Sequence, residues 1–275
     1  MSERPSRVIA LVNQKGGCGK TTTAVNLGAC LAAEGRRVLL VDLDPQANAT
    51  VSLGVDPAEL VFTMYHVLVD APRDGSGEPV TIEEILRPST VDRLAIAPSS
   101  IDLAGAELEL VARIGREHAL RKKLAPVRER YDFVLIDTPP SLGLLTLNAL
   151  VACEQIIIPI QTHYYALLGM RQLMRTLEEV RDQVGHSVEI LGVLATMYDS
   201  RNNISKEIVN GIYEFFGEKV FETTVHFSIK LVESSMAGVP IFLHNPQSRG
   251  AQEYTALARE VIAREQVPGR AAARH

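Results

Sequence analysis

Residues 8–33 read VIALVNQKGGCGKTTTAVNLGACLAA, and this stretch decides the fold. The apolar run Val8–Asn13 predicts a buried strand, and the segment Gly19–Glu34 has the length and composition of a helix. A glycine-rich turn joins them, in the order strand, turn, helix that a phosphate-binding loop requires. The stretch therefore predicts a nucleotide-binding α/β protein.

The turn itself, Lys15–Thr21, carries the groups that hold phosphates. Glycine lets the backbone wrap closely round phosphate oxygens, so that N–H groups and the helix N-terminus face the anion. In such a loop Lys20 reaches the β- and γ-phosphates and Thr21 ligates Mg²⁺. The strict pattern G-x-x-x-x-G-K-[ST] fails at Gln14, which stands in the place of its first glycine.

Short apolar runs alternate with helical stretches along the rest of the chain. The runs are rich in Val, Ile and Leu with little polar alternation, which is typical of strands buried on both faces of a parallel sheet. The alternation predicts an α/β fold with a doubly wound, mostly parallel sheet and helices on both faces. We expect a single domain over residues 1–265 and a flexible tail over residues 266–275. The further predicted strands are Val38–Asp42, Leu94–Ala97, Phe133–Asp137, Gln155–Pro159 and Ile190–Ala195, and predicted helices include Leu167–Val184 and Ile204–Phe216.

The composition limits the class of protein. Hydrophobic residues make up 46% of the 275 residues, which is enough for a sizeable core. The net charge of -5 means that any nucleic-acid contact must come from a local basic patch. The cysteines form no CxxC or Cys/His ligand pattern, so neither a disulfide framework nor a structural zinc site is expected. No targeting signal or membrane span is visible, and we expect a cytoplasmic protein.

Carboxylates follow two further predicted strands. Asp42 and Asp44 lie in VDLDPQAN, and Asp137 begins DTPPS after a later strand. Parallel strands end at the same edge of a sheet, where ligands bind in open α/β folds. A lone Asp in such a place is more often a helix cap or turn former. Two such motifs together with the phosphate loop predict one site for a nucleotide and Mg²⁺.

The motifs KGGCGKT, VDLDPQANAT, DFVLIDTPPS and HYYALLGM resemble those of the ParA/MinD family of deviant-Walker P-loop ATPases. The similarity extends over nearly the whole chain and is strongest to the short chromosomal ParA proteins, often called Soj. It implies a slow ATPase that uses ATP and Mg²⁺ and forms a homodimer with ATP. The dimer would bind double-stranded DNA non-specifically and leave it when a ParB-like adaptor stimulates hydrolysis, which implies association with the nucleoid. The nucleotide contacts implied are Lys15, Gly16, Gly17, Cys18, Gly19, Lys20, Thr21 and Thr22.

The resemblance also implies roles for single residues. Lys15 matches the family's extra lysine, which crosses the dimer interface to the partner's nucleotide and offsets charge during phosphoryl transfer, as an arginine finger does. Asp44 resembles the switch I aspartate that positions or activates the attacking water. Asp137 resembles the Walker B acid, which holds Mg²⁺ mainly through water, and Asp42 would support it near the metal.

The segment Val225–Met236 departs from the family. Soj-like proteins usually read IPRNVRLSEAPS here, and His226 replaces the family's proline that packs near the adenine, so base contacts are expected to differ. The loop at Pro246 is the other expected contact on the adenine side. Arg201 and Lys230 match family cations on a dimer surface that touches DNA, and phosphate contacts require positive charge rather than a base-reading shape.

Other functions stay open. A MinD-like membrane-positioning protein needs a C-terminal amphipathic helix, which Pro268 and Gly269 interrupt, so no membrane partner is expected. A nitrogenase-type iron protein needs cysteines that share a cluster between subunits, and Cys153 alone does not supply the spacing. Because the Val225–Met236 segment departs from the family, a ParA-like ATPase that positions a protein cargo stays an alternative to DNA partitioning. A non-hydrolysing binding module conflicts with the intact lysines and aspartates.

Overall fold

A seven-stranded sheet forms the centre of the computed structural model, which describes residues 5–73, 77–162 and 166–266. In chain order the strands are β1 (Arg7–Leu11), β2 (Val38–Asp42), β3 (Arg87–Pro88), β4 (Leu94–Ala97), β5 (Phe133–Asp137), β6 (Gln155–Gln161) and β7 (Glu189–Thr196). Across the sheet they follow the order β3-β4-β2-β5-β1-β6-β7. Every pair is parallel except β3 with β4, so the sheet is mostly parallel as predicted.

Helices connect the strands on both faces. The first connecting helix follows directly from the glycine-rich loop. The helix that begins at Asn203 is capped by the Asn202 side chain, which accepts a hydrogen bond from the Ile204 N–H at 2.9 Å. The described helices are α1 (Lys20–Ala33), α2 (Asn48–Ser52), α3 (Met64–Leu68), α4 (Ile82–Ile85), α5 (Leu103–Val111), α6 (Ala119–Leu124), α7 (Leu144–Ala152), α8 (Ala166–Glu179), α9 (Asn203–Phe216), α10 (Ile229–Met236), α11 (Ile241–His244) and α12 (Arg249–Gln266).

Hydrophobic cores fill both faces of the sheet. Because side chains alternate along a strand, Val8 and Ala10 of β1 pack into one core, and Ile9 and Leu11 pack into the other. Helices α3, α5 and α7 contribute to the first core, and α1 and α12 contribute to the second. Strands β2 and β5 are buried at every position. These two cores confirm the predicted doubly wound architecture.

The register of the sheet brings two carboxylates together at one edge. Asp42 ends β2, Asp137 ends β5, and the two residues are direct partners across this pair of strands. On the other side of β5, Leu11 of β1 is paired with Asp137, so the glycine-rich loop leaves the sheet at the same edge. A short chain of pairings therefore places the phosphate loop and both carboxylates side by side.

The predicted elements agree with the structure over most of the described chain. Strand β6 continues to Gln161, beyond its predicted end at Pro159, and the short edge strand β3 was not predicted. Helix α12 includes Gln266, the first residue of the predicted tail. Residues 267–275 and residues 163–165 of the HYYALLGM motif lie outside the described residues. The single-domain assignment stays a prediction.

Candidate functional site

The loop between β1 and α1 has the backbone shape of a phosphate cradle. Gly17 and Gly19 have φ angles of +71° and +88°, which other residues rarely adopt. No atom lies within 4 Å of a Cβ built on Gly17, so the conformation and not the space requires glycine there. The first N–H groups of a helix have no intrahelical partner. At the start of α1 they are therefore available to an anion.

Two polar side chains at strand ends hold this loop in place. The Asn13 Oδ1 accepts a hydrogen bond from the Lys15 N–H at 3.0 Å, and Asn13 Nδ2 donates to the Pro159 carbonyl at 2.6 Å. The Thr196 hydroxyl at the end of β7 donates to the Cys18 carbonyl at 2.8 Å. Sequence reasoning missed Asn13 and Thr196. The sequence signal that could have identified them is their position, since each lies at or directly after the end of a predicted strand.

The two lysines of the loop have different surroundings. Lys20 is buried, lines the cleft beside the loop, and donates from its ammonium to the Lys15 carbonyl at 3.3 Å. Lys15 is half-buried and does not line this cleft, although its neighbours Gly16 and Gly17 do. The structure therefore brings Lys20 into the cleft of its own chain and leaves Lys15 at the margin.

Asp137 is a fully buried carboxylate with no hydrogen-bond partner for either oxygen among the described residues. Burial raises the pKa of Asp137 well above its usual range, the neighbouring Asp42 raises it further, and Thr21 and Lys20 act in the opposite direction. A buried polar atom without a partner calls for an ion or a water molecule. A carboxylate beside a threonine hydroxyl fits Mg²⁺, which takes few protein ligands and keeps several waters.

Asp42 organises the loop that follows β2. Its Oδ2 accepts hydrogen bonds from the Thr50 N–H at 2.8 Å and the Thr50 hydroxyl at 2.7 Å. Its Oδ1 accepts from the Asp44 N–H at 3.1 Å. Burial raises the pKa of Asp42 to about 6, although these hydrogen bonds oppose the shift. Because its oxygens are already bonded, Asp42 fits the predicted supporting position better than that of a direct metal ligand.

Asp44 faces the nucleotide cleft from the same loop. It is 7% exposed, and its Oδ1 accepts a hydrogen bond from the Gln46 N–H at 3.0 Å. The Ser99 hydroxyl donates to the Asp44 carbonyl at 2.8 Å, which ties the loop to the end of β4. Asp44 and Lys20 both line the cleft, so the structure brings the predicted catalytic aspartate and the phosphate-binding lysine to one site.

The cleft has a volume of about 350 Å³ and is lined by the phosphate loop, the Asp44 loop and α10. Thr21 and Thr22 line it as predicted for nucleotide contacts, whereas Cys18 is buried behind the loop. Pro246 is exposed and does not line the cleft. The apolar part of the cleft lining comes instead from residues that were not predicted from the sequence, among them Met197, Leu231 and Val239.

The donor set fits Mg²⁺ together with a nucleotide and does not fit a metal held by protein alone. Among the described residues, no group of three or more His, Cys, Asp or Glu could hold a metal ion. Mg²⁺ in nucleotide sites takes one or two protein ligands and completes its shell with phosphate oxygens and water. The Thr21 hydroxyl and the unpartnered Asp137 carboxylate supply such a pair.

The two predicted DNA contacts lie on the surface, and each is paired with a carboxylate. The Arg201 side chain is 89% exposed, with its Nε 3.1 Å from Asp199 Oδ1. The Lys230 side chain is 51% exposed, with its Nζ 2.6 Å from Glu233 Oε2. Neither cation lines the nucleotide cleft. Their positive charge is therefore partly offset within the free protein.

Comparison with known sequences identifies close relatives. A family described as an AAA domain matches residues 6–190. The chain is 46% identical over 257 residues to the sporulation initiation inhibitor protein Soj of Bacillus subtilis (strain 168), covering 94% of this chain and 98% of that protein. It is 44% identical over 260 residues to the chromosome partitioning protein ParA of Myxococcus xanthus (strain DK1622), covering 94% and 89% respectively.

Solved structures agree with the sequence comparison. Cobyrinic acid a,c-diamide synthase from Mycobacterium smegmatis with bound ADP and magnesium has a TM-score of 0.78 and 38% identity, covering 92% of this chain and 93% of that one. The same values hold for that protein with a bound ATP analogue and magnesium. The bound nucleotide and magnesium in these structures agree with ATP and Mg²⁺ as the ligands of this fold. The relatives above show that the chain belongs to the ParA/Soj family of partition ATPases, which hydrolyse ATP with Mg²⁺ as cofactor.

Proposed function

We propose that this partition ATPase is a dimerising switch for chromosome or plasmid segregation. The ATP-bound homodimer binds double-stranded DNA without sequence preference, and hydrolysis stimulated by a ParB-like adaptor releases it. The observation that carries this proposal is the placement of the two lysines. Lys20 lies in its own cleft, whereas Lys15 stands outside it, where it can serve the nucleotide of a second copy. The proposed location is the cytoplasm, on the nucleoid.

The side chains of the cleft divide the catalytic work. Lys20 holds the β- and γ-phosphates, the backbone of residues 16–22 surrounds them, and Thr21 and Asp137 hold Mg²⁺. The metal would neutralise charge that develops on the phosphate oxygens. Asp44 orients the attacking water and accepts its proton, with its loop fixed by Asp42. A base contact at Pro246 stays a prediction.

DNA binding is assigned to Arg201 and Lys230 of both copies. A dimer doubles the number of cations that face one duplex, so DNA affinity rises steeply when ATP joins the two chains. In the free protein these cations contact Asp199 and Glu233. DNA phosphates must compete with those carboxylates, which keeps the affinity of a monomer low.

A protein cargo is the second candidate function, and one observation favours it. Bulky apolar side chains are exposed on helix α10 and just before it. Phe227 is 63% exposed, Ile229 is 65% exposed and Met236 is 82% exposed. Large exposed apolar side chains in one region are typical of protein contacts. In this alternative the nucleoid is only a scaffold, and the Lys230 face binds a protein. Among the described helices, none has the length and apolar character needed to cross a bilayer.

The first experiment uses Asp44→Ala, which should bind ATP without hydrolysing it and so accumulate as a dimer. Dimerisation and DNA binding are measured in the same samples, with ATP-Mg²⁺ and with ADP, at several salt concentrations. A dimer with salt-sensitive DNA binding in ATP alone supports the proposal. A protein that stays monomeric with ATP overturns the switch, and a dimer that ignores DNA favours the protein cargo.

The surface cations are tested in the same trapped protein. Arg201→Ala and Lys230→Ala should each lower the slope of log affinity against log salt by about two, one phosphate contact per chain of the dimer. Glu233→Gln should strengthen binding, because Lys230 loses its competitor. Arg181→Ala is the control, because Arg181 is an exposed arginine in a similar pair with Asp182. Equal slopes in all variants would remove DNA binding from this face.

A further inference from the structure

Helix α10 belongs to both functional surfaces at once. Its Leu231, Ser234 and Ser235 line the nucleotide cleft, whereas Lys230 lies on the exposed side as a proposed DNA contact. Any force that moves α10 relative to the cleft therefore moves a DNA-binding cation. The neighbours that fix the position of α10 decide whether the nucleotide can influence this cation.

Helix α2 is tied to the metal side of the cleft. The Thr50 hydroxyl and N–H both donate to Asp42, which is paired with Asp137 across the sheet. The Ser99 N–H donates to the Thr50 hydroxyl at 3.0 Å, so both partners of this buried hydroxyl are fixed. Because Asp44 lies in the same loop, α2 must follow a rearrangement of the loop that faces the phosphates.

The C-terminal ends of α2 and α10 meet backbone to backbone. The Ser52 and Ser235 hydroxyl oxygens are 2.6 Å apart. A Cβ built on Gly238 would lie 3.0 Å from the Gly54 Cα and 3.3 Å from the Val51 carbonyl oxygen. No flexible side chain separates these two backbones, and packed interfaces of this kind shift between discrete arrangements instead of deforming smoothly.

We propose that the Gly54–Gly238 contact is a positioning contact that sets the place of α10, and with it Lys230, according to the state of the Asp42–Asp44 loop. The DNA part of this inference rests on the function proposed above. Contraction of the loop round the γ-phosphate and Mg²⁺ draws on α2, and the glycine contact passes the displacement to α10. The contact thus links nucleotide state to the DNA-binding face within one chain, separately from dimerisation.

A matched pair of substitutions isolates the contact. Gly238→Ala introduces a Cβ that must push α2 and α10 apart, at a residue with a φ of +67°. Gly185→Ala is the control, because Gly185 has a φ of +70° and nothing lies within 4 Å of its Cβ position. Both variants carry the same left-handed backbone strain, but only the first disturbs a neighbour. Both are made in the full chain with Asp44→Ala.

Two measurements are made on each variant, with ATP-Mg²⁺ and with ADP-Mg²⁺. The first is DNA affinity alongside dimerisation. The second is hydrogen exchange of α10, which requires no DNA. We expect Gly238→Ala to dimerise with ATP but bind DNA about tenfold or more weakly, and its α10 to exchange equally in both nucleotides. Gly185→Ala should stay within about twofold of the parent for DNA and keep a nucleotide-dependent difference in exchange.

The outcomes separate this proposal from the one on which it rests. If Gly238→Ala matches Gly185→Ala in both measurements, or loses dimerisation itself, the positioning contact is wrong. If the parent dimerises without binding DNA, the proposed DNA function is wrong. Hydrogen exchange of α10 then still tests whether the Gly54–Gly238 contact links nucleotide state to the position of α10. If Gly238→Ala does not fold, Gly54→Ala is used, because its Cβ would meet only the Gly238 carbonyl oxygen at 3.1 Å.

Discussion

Replacing the carboxylate of Asp137 by an amide should stabilise the free protein while abolishing its response to the metal. Asp137 is fully buried, and neither oxygen has a hydrogen-bond partner among the described residues. Asp137→Asn keeps the shape of the side chain and removes its charge. We expect the variant to be more stable than the parent without nucleotide, and to lose the added stability that ATP and Mg²⁺ give the parent.

The magnitude and its pH dependence follow from burial. A buried ion carries a desolvation penalty of several kcal/mol, which a carboxyl group lowers by keeping its proton. The pKa of Asp137 is raised from 3.8, so its contribution to stability is fully present below 3.8 and is lost as the pH rises through the folded-state value. The uncharged amide avoids this loss. We expect Asp137→Asn to gain about 1–3 kcal/mol at about pH 8 and less at about pH 5.

The assay is urea unfolding of the parent and the variant at both pH values, without nucleotide or Mg²⁺. Asp132→Asn is a control for which we expect the opposite change in the free energy of unfolding. The Asp132 carboxylate accepts a hydrogen bond from Arg37 Nη2 at 2.9 Å, and the hydrogen bond from Arg37 lowers the pKa of Asp132. Because this pKa is lowered, the Asp132 carboxylate stabilises the folded protein at pH values above its pKa in the unfolded chain. Asp132→Asn should therefore be destabilising at both pH values. An Asp137→Asn protein less stable than the parent at about pH 8 would refute the reasoning.

Three further substitutions test other contacts. Thr50→Val removes the hydroxyl that donates to Asp42 at 2.7 Å, so urea unfolding should show a loss of about 2–3 kcal/mol, and phosphate release should be slower. Gly192→Ala places a Cβ 2.2 Å from the Phe221 ring, and the same unfolding assay should show a loss of about 1–3 kcal/mol. A loss below about 0.5 kcal/mol in either would contradict these contacts. Lys20→Ala should remove ATP-induced dimerisation, and a variant that still dimerised with ATP would show that Lys20 does not hold the phosphates.

The central strands could be predicted because their burial is complete. Val38–Asp42 and Phe133–Asp137 begin and end where the sequence predicts, since every residue of both is buried and each apolar run ends at a single aspartate. The short helices could not be predicted in this way. Helix α2 has only five residues and follows Ala47 at a φ of +53°, so its conformation depends on tertiary contacts and not on local preference.

The site residues that could be predicted were those within recognisable sequence motifs. Strand ends converge in a parallel sheet, so Asp137 and the phosphate loop were expected at one edge. The groups that hold them come from distant parts of the chain: Thr196 supports the loop, and Ser99 supports the Asp44 carbonyl. No spacing rule relates such residues. The expected base contact at Pro246 depended on the family pattern alone, and the fold leaves this residue outside the cleft.

Two of the four described non-glycine residues with a positive φ lie at or beside the cleft where a nucleotide would bind. Ala47 precedes α2 and Met197 lines the cleft, and both have a φ of +53° although neither is glycine. Strain of this kind costs about 1–3 kcal/mol for each residue and persists only when the surroundings enforce it. At the end of β5, Asp137 adds a buried carboxyl group whose oxygens have no hydrogen-bond partner among the described residues. Because Mg²⁺ and a nucleotide would supply partners to this carboxyl group only in the folded protein, their binding would act directly on the loops that follow β2 and β5. A site whose groups were already satisfied would bind the same ligands with less influence on its loops, so the unsatisfied groups of the free site favour the switch proposed above.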